Sequence, residues 1–379
     1  MKILLLTYEF PPVSGGIATY CAALASAAVK RGHHVTVAAS GGFERDDSEM
    51  ENYSFEIKRS GKGIYSAGKL PALIWRTYRW AHRGGYDLIH AVDWPHIMAL
   101  ALLNRFKSIP FAATYYGSDI LMAPSSRQIR FLAKDRFFSA PARIFVISDF
   151  SMKLLLEHNR GIDPNAVIMT PLGVDFEHFA NPRGNCDFRS KYSIPHGNKI
   201  ILTVARLDER KGHKAALEAM RTLPPKIKER LSYIIAGTGI DNKYSGELRY
   251  LADRSGVNVI FAGRIDHEDL PSLYAACDIF CMVGQPHPGK VEGFGLAYLE
   301  AAAARLPSIA GRIGGAPEVV IEGDTGLIVE PGDIEGIARA IITLTEDESL
   351  RFELGRKAQE RARGFTWEKC VDLTYGSAA

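Results

Sequence analysis

Long apolar runs are missing from this 379-residue chain. No stretch of about 18 apolar residues occurs, so no segment is expected to cross a membrane. The opening Met1-Lys2-Ile3-Leu4-Leu5-Leu6 is too short an apolar run for an export signal, and Glu9 and Pro11-Pro12 follow at once; it reads as a buried first strand. Charge of one sign is missing too. The 46 basic and 43 acidic side chains leave a net +3, too little by itself to point to nucleic acid. Cysteine is scarce. Cys21, Cys186, Cys277, Cys281 and Cys370 are odd in number and scattered, with neither a disulfide framework nor zinc-ligand spacing, which fits a reducing cytoplasm. Cys277 and Cys281 flank an apolar strand and read as core residues. Short repeats and low-complexity runs are absent as well.

What is present is alternation. Apolar runs at 3–8, 34–39, 88–91, 111–114, 143–147 and 167–170 read as buried strands, with helical stretches at 17–30, 69–82, 95–106, 127–138 and 150–158 between them. Residues 176–198 are polar, with Pro and Gly and no strong period, and read as a linker. The alternation then restarts, with strands at 199–205, 232–236, 258–261, 278–282, 307–310 and 326–329. Helices are expected at 213–222, 242–255, 267–277, 295–305, 334–345 and 349–363. The fold class is therefore α/β: two doubly wound, Rossmann-like domains facing a central cleft, with ligands at the carboxyl ends of the strands. The expected bounds are 1–178, 179–363 and a final helix within 364–379.

Val291-Glu292-Gly293-Phe294-Gly295-Leu296-Ala297-Tyr298-Leu299-Glu300-Ala301 joins a glycine-broken loop to a helix opening near Gly295. The first turn of a helix has unpaired N–H groups and a positive dipole end, so an anion can sit there. Glu292 and Glu300 frame that position, and carboxylates accept hydrogen bonds from pairs of hydroxyls. A ligand with phosphate in the middle and a sugar on each side, a nucleotide-sugar, has that layout. A plain loop and core helix, each with a surface acid, is the alternative.

Other stretches bear on that choice. Pro11-Pro12-Val13-Ser14-Gly15-Gly16 lies between a strand and a helix, where a Gly-Gly turn lets backbone approach a phosphate or sugar; a simple tight turn is the rival. It is no P-loop, lacking Gly-Lys-Ser/Thr. Arg206 ends a strand and Lys211 precedes a helix, so both can supply fixed charge to a diphosphate; a solvated charge run is the rival. Ala236-Gly237-Thr238-Gly239-Ile240-Asp241-Asn242 begins like a dinucleotide fingerprint but lacks the third glycine, and reads as a turn near a ligand. No Asp-x-Asp, a frequent metal holder in sugar transfer, occurs; cations and a helix N-terminus can stabilise a leaving diphosphate without a metal. His90, Asp93 and His96 read as structural or substrate-facing rather than as metal ligands. Residues 69–83 carry Leu70, Leu73, Ile74 and Tyr78 on one side, Lys69, Arg76, Arg79 and Arg83 elsewhere, and no acid. Residues 127–138 carry Arg127, Arg130, Lys134 and Arg136 beside Phe131, Phe137 and Phe138. Both suit an anionic membrane surface, with ordinary surface helices as the alternative.

Together these residues resemble a family almost from end to end. Glu292 to Glu300 has the Glu-x7-Glu form of the retaining glycosyltransferases of family 4, which have the GT-B fold. Pro11-Pro12…Gly15-Gly16, Pro171-Leu172-Gly173-Val174-Asp175, Arg206…Lys211-Gly212 and Gly314-Gly315-Ala316-Pro317-Glu318 match it as well. The 284–291 loop and Ser126-Arg127-Gln128 are similar to the phosphatidylinositol mannosyltransferase branch. The resemblance implies a nucleotide-sugar in the second domain and an acceptor in the first. It implies that Arg206, Lys211, the backbone at Gly295 and Leu296, and Gly16 hold the diphosphate. Glu300 would take the ribose hydroxyls; Glu292 and Phe294 would take the transferred sugar. Arg264 and Ile265 would lie near the base; Gly239, in the turn read above as near a ligand, is a further candidate for the nucleotide-sugar. Phe365-Thr366-Trp367-Glu368…Tyr375 resembles the last helix that crosses back to the first domain.

One departure stands out. Where the family has Thr-x-His-Gly-x-Asp, this chain has Thr114-Tyr115-Tyr116-Gly117-Ser118-Asp119. Tyr116 takes the His position; a phenol donates a hydrogen bond but is not cationic. Ala297 and Arg305 replace a frequent Pro and Gly. The expectation is a metal-independent, cofactor-free, retaining glycosyltransferase with Glu292, Arg206, Lys211 and Tyr116 in its machinery. It would move a sugar from a GDP- or UDP-linked donor to a glycan or lipid-linked acceptor, in the cytoplasm or at the inner face of the membrane, without nucleic acid. The rivals are a nucleotide-sugar-binding protein without turnover and a GT-B epimerase or hydrolase.

Overall fold

The computed structural model describes residues 1–13, 15–39, 53–60, 65–123, 126–127, 129–133, 136–184, 186–239 and 243–376. The chain forms two compact units. One comprises Met1–Gly173 with Trp367–Ala379, the other Val174–Thr366. The division thus falls at 173/174, a few residues before the 178/179 expected from the sequence.

In the first unit the strands are β1 (Lys2–Thr7), β2 (His34–Ala39), β3 (Glu56–Arg59), β4 (Leu88–Ala91), β5 (Ala112–Tyr115), β6 (Arg143–Val146) and β7 (Val167–Met169). Among the described residues they form one parallel sheet in the order β3-β2-β1-β4-β5-β6-β7. Helices cover both faces of such a sheet, so its inner strands are apolar throughout. Leu4, Leu6, Ala91, Phe111, Ala113 and Val146 accordingly lie in one core with Ile97 and Leu155 from the covering helices. The last helix, Trp367–Tyr375, packs on the Gly16–Lys30 helix. Trp367 meets Tyr20 edge-on at 6.0 Å, and Arg31 donates to Asp372 at 2.6 Å.

The second unit contains β8 (Lys199–Val204), β9 (Leu231–Ala236), β10 (Asn258–Gly263), β11 (Ile279–Met282), β12 (Ser308–Gly311) and β13 (Gly326–Val329). Its parallel order is β10-β9-β8-β11-β12-β13. Ile201, Tyr233, Ile235 and Ile279 from the sheet pack against Leu217, Leu248, Ile337 and Leu344 from its helices. Each fully buried leucine contributes about 2 kcal/mol of transfer free energy. Both sheets reverse winding direction once, between β1 and β4 and between β8 and β11. Ligands of doubly wound sheets gather at the carboxyl ends beside such a switch.

Four local expectations are corrected. β3 was not foreseen: Glu56-Ile57-Lys58-Arg59 is a short charged edge strand, without the apolar run of an inner one. The 176–198 stretch does not link the domains: it lies within the second unit and holds two short helices, Phe176–Ala180 and Phe188–Lys191, capped by Asp175 and Asp187. The 127–138 helix is reduced, among the described residues, to one π-helical turn over Ile129–Ala133. Phe137 and Phe138 there are buried in the core while Phe131 is exposed; Gln128 and Lys134 lie outside the described residues. The 69–83 helix forms as Leu70–Arg83, but Tyr78 stands exposed beside Trp75 rather than on the core side. Cys277 and Cys281 are buried core residues.

Candidate active site

The basic run after β8 folds as a tight 3₁₀ turn, Glu209–Lys211, because Asp208 caps it by accepting from Arg210 N at 3.2 Å. That turn sends two cations onto one carboxylate. Arg210 Nη1 donates to Glu292 Oε2 at 2.8 Å, and Lys211 Nζ donates to the same oxygen at 2.5 Å. Arg210 Nη1 also reaches Val291 O at 3.4 Å, and its own carbonyl accepts from Gln285 N at 2.8 Å. Burial pushes the Glu292 carboxyl up, but the Lys211 and Arg210 charges outweigh it and hold the group below its ordinary value. Burial likewise pulls the Lys211 ammonium down, opposed by Glu292 and aided by the charges of Arg210 and Arg206. Arg206 itself is exposed at the carboxyl end of β8.

The Glu292 backbone is braced from the next loop. Gly315 N donates to Glu292 O at 2.9 Å. A Cβ on Gly314 would sit 1.9 Å from Glu292 O, and one on Gly315 2.2 Å from Gly293 O. The Gly314-Gly315 pair is therefore a packing requirement: only bare backbone lets the loop after β12 press on the loop after β11. Gly295, left-handed at φ 95°, then turns the chain into the Leu296–Ala303 helix, and no side chain caps that helix start. Its first-turn N–H groups carry the partial positive charge of the helix. Phe294 is buried; Leu296 is half-buried.

Glu300 lies one turn further along, half-buried. Tyr274 donates its hydroxyl to Glu300 Oε2 at 2.8 Å. Burial raises the Glu300 carboxyl above its ordinary value, with the Tyr274 bond opposing. The loops after β8, β9 and β10 are tied together at the carboxyl end of the same sheet: Leu207 N donates to Thr238 O at 2.9 Å, and Gly237 N to Gly263 O at 2.7 Å. Gly239 and Arg264 are exposed there and Ile265 half-buried, while Ile240, Asp241 and Asn242 lie outside the described residues.

In the first unit, Gly16 opens its helix exposed, with open space where a Cβ would project. Ser14 lies outside the described residues. Tyr116 N donates to both Asp119 oxygens, at 3.0 and 3.1 Å, and Gly117 N donates to Oδ1 at 2.8 Å. Burial nevertheless pushes Asp119 up to about 6. The Tyr116 ring meets Tyr20 edge-on at 5.5 Å, and its hydroxyl is shielded from solvent with no partner among the described residues. Burial pushes that phenol well above its ordinary value, so it stays protonated. His90 Nε2 lies 2.7 Å from Thr114 Oγ1 and its Nδ1 2.9 Å from the Tyr375 hydroxyl; burial lowers this imidazole to about 3, so it is neutral. His96 Nδ1 lies 2.8 Å from Asp93 Oδ1. Both histidine rings are fully buried, with these bonds made inside the first unit. Among the described residues, no three His, Cys, Asp or Glu side chains gather as metal ligands, and no helix is long and apolar enough to cross a membrane.

Arg206, Lys211, Gly239, Arg264, Ile265, Glu292, Phe294, Gly295, Leu296 and Glu300 all follow carboxyl ends of one sheet. Gly16 and Tyr116 belong to the first unit. Arg210 and Tyr274 were missed. Arg210 had a signal, its place in the basic run; Tyr274 had none, because it meets Glu300 only across two helices.

Comparison with known proteins adds to this geometry. Residues 14–178 match the family described as Glycosyltransferase Family 4, and residues 186–361 match Glycosyl transferases group 1. The chain is 30% identical over 372 residues to the GDP-mannose-dependent alpha-(1-6)-phosphatidylinositol monomannoside mannosyltransferase of Mycolicibacterium smegmatis, covering 93% of this chain and 91% of that protein. The chain belongs to glycosyltransferase family 4. Another relative of this glycosyltransferase is the N-acetyl-alpha-D-glucosaminyl L-malate synthase of Bacillus anthracis, 26% identical over 95% of this chain and 92% of that one. Among solved structures, Anabaena HepE in complex with UDP and glucose superposes with a TM-score of 0.79 at 21% identity, over 99% and 98% of the two chains. The sucrose-phosphate synthase of Thermosynechococcus elongatus gives 0.80 at 23%, over 98% and 97%. These neighbours place the glycosyltransferase in the GT-B fold class.

Proposed function

We propose that this glycosyltransferase is a metal-independent, retaining enzyme that moves a hexose from a nucleotide-sugar to a glycan or lipid-linked acceptor. The observation that supports it most is Glu292, held ionised by Arg210 and Lys211 beside an uncapped helix start. Lys211, Arg206 and the N–H groups at Gly295 and Leu296 would take the diphosphate. Glu292 and the Phe294 backbone would take the transferred sugar, and Glu300 the ribose. Arg264 and Ile265 are assigned to the base, and Gly239 to the donor without a subsite. Gly16 and Tyr116 are assigned by motif to the diphosphate and the sugar.

In the reaction, the acceptor hydroxyl would attack the anomeric carbon from the face that the phosphate leaves. The C1–O(phosphate) bond breaks as the C1–O(acceptor) bond forms, and the acceptor proton passes to the departing phosphate oxygen. The anomeric configuration is then kept without a protein nucleophile. Charge building on the diphosphate would be met by Arg206, Lys211 and the helix start.

GDP-mannose is the first donor to try, since the mycobacterial relative at 30% identity is named for it; UDP-sugars are second. The acceptor class rests on the exposed Trp75, Tyr78, Arg79 and Arg83 of the Leu70–Arg83 helix, suited to the surface of an anionic membrane. The assay is product formation over a donor and acceptor panel, with and without EDTA. A retained-anomer glycoside formed equally in both supports the proposal; an inverted product, or activity lost with EDTA, refutes it. Tight donor binding with no product would instead favour a binding protein that has lost turnover, the reading motivated by Tyr116. Nucleotide released without acceptor would favour an epimerase or hydrolase.

A further inference from the structure

Neighbouring elements converge on the Tyr274 ring, whose hydroxyl bonds one oxygen of Glu300. Tyr274 belongs to the Leu270–Ala275 helix and Glu300 to the Leu296–Ala303 helix. The short Phe176–Ala180 helix packs against both. Its Phe179 meets the Tyr274 ring edge-on at 5.6 Å, and Phe280 of β11 closes at 6.0 Å. The ring is fully buried between them, so its hydroxyl cannot swing away without opening an aromatic cluster. Burial also holds the phenol well above its ordinary value, so it donates throughout the working pH range. The donated bond occupies Oε2 of Glu300; Oε1 has no partner among the described residues. A carboxylate with one oxygen pinned and the other bare has a fixed plane in which to accept from a pair of adjacent hydroxyls.

We infer that Tyr274 is a positioning residue that sets the plane of the Glu300 carboxylate and so makes the site selective for ribonucleoside over deoxyribonucleoside diphosphates. This rests on the reading that Glu300 takes the ribose. Tyr274 acts through Glu300: its bond removes rotational freedom of that carboxylate, which would otherwise be lost on binding. Phe179, in the stretch that reads as a linker from sequence, locks the ring that does so.

The test is calorimetry on the full chain with GDP and UDP, each against its 2′,3′-dideoxy counterpart. Wild type should prefer the ribose form by about thirtyfold, the order expected for a hydroxyl pair on a charged acceptor. Tyr274→Phe keeps the ring and its packing; it should cut that ratio about tenfold while leaving the dideoxy affinity within about twofold. Phe179→Leu, with folding checked by thermal melting, should give an intermediate ratio. An unchanged ratio in Tyr274→Phe, or equal weakening of both forms, overturns the inference and leaves Glu300 as the ribose ligand. A wild type that does not distinguish the forms, that binds neither nucleotide, or whose ratio survives Glu300→Ala, overturns the Glu300 reading itself.

Discussion

Two acids occupy matching places in the two sheets, and they are satisfied in opposite ways. Asp93 follows β4, across the switch from β1; Glu292 follows β11, across the switch from β8. Asp93 is buried and bonded by the N–H groups of Tyr8 and His96, the His96 ring and the Thr7 hydroxyl. Glu292 is held by the ends of two flexible cations, one of them Lys211. A carboxylate tied by backbone is part of the frame. A carboxylate tied by flexible cations can release them to an incoming anion. The loop sequences differ as well. Residues 8–15 after β1 hold no Lys or Arg, and Arg59 reaches them from β3 to donate to Pro11 O, whereas Arg206, Arg210 and Lys211 follow β8 directly.

The comparison breaks first at Glu292 and Lys211. Each alanine variant should lower kcat/KM by about a thousandfold with the far-ultraviolet dichroism intact, the size of a lost transition-state charge contact. Normal turnover in both would place the chemistry elsewhere. Arg210→Met should cost about a hundredfold and move the acid limb of the kcat/KM profile to higher pH, because one of the two charges that hold Glu292 low is gone. An acid limb that stays in place would show that Arg210 does not set this ionisation. The linkage sign is the same for folding. A depressed carboxyl stabilises the fold above its unfolded value, 4.5, and that contribution is lost as pH falls below it through the folded value. Urea titrations of wild type and Glu292→Gln should therefore converge in acid.

Tyr116→Phe sharpens the contrast from the first unit. Removing a buried hydroxyl without a partner should leave stability unchanged or raise it by about 1 kcal/mol. If the phenol donates to the sugar, kcat/KM falls about tenfold in the same variant. A fall in stability would reveal a structural bond instead. The smallest effect is expected at the exposed basic helix: Arg79→Ala should weaken binding to vesicles containing anionic lipid about fivefold and leave neutral vesicles unaffected. Equal binding by both proteins would remove the membrane role.

Much of the site was legible because its signals are local. Inner strands such as Ile200-Ile201-Leu202 are apolar on both faces, so continuous runs betray them. Glu292, Gly295 and Glu300 are spaced by one loop and one helix turn-up, which chain numbering records. β3 escaped because an edge strand can be charged, and the Phe176–Ala180 helix because it is barely one turn long. The 127–138 stretch misled because Phe137 and Phe138 are core residues of the sheet rather than one face of a helix.

Residue order alone determined the alternating strands and helices of two wound domains and the acids and cations that follow their strands, since these depend on hydrophobic period and spacing along the chain. Tertiary structure alone decided that Arg210 joins Lys211 on Glu292, that Gly314 and Gly315 must be bare to seat that loop, and that Tyr274 pins Glu300. Those outcomes depend on where side chains far apart in sequence meet, and distance through space is fixed by packing rather than by numbering.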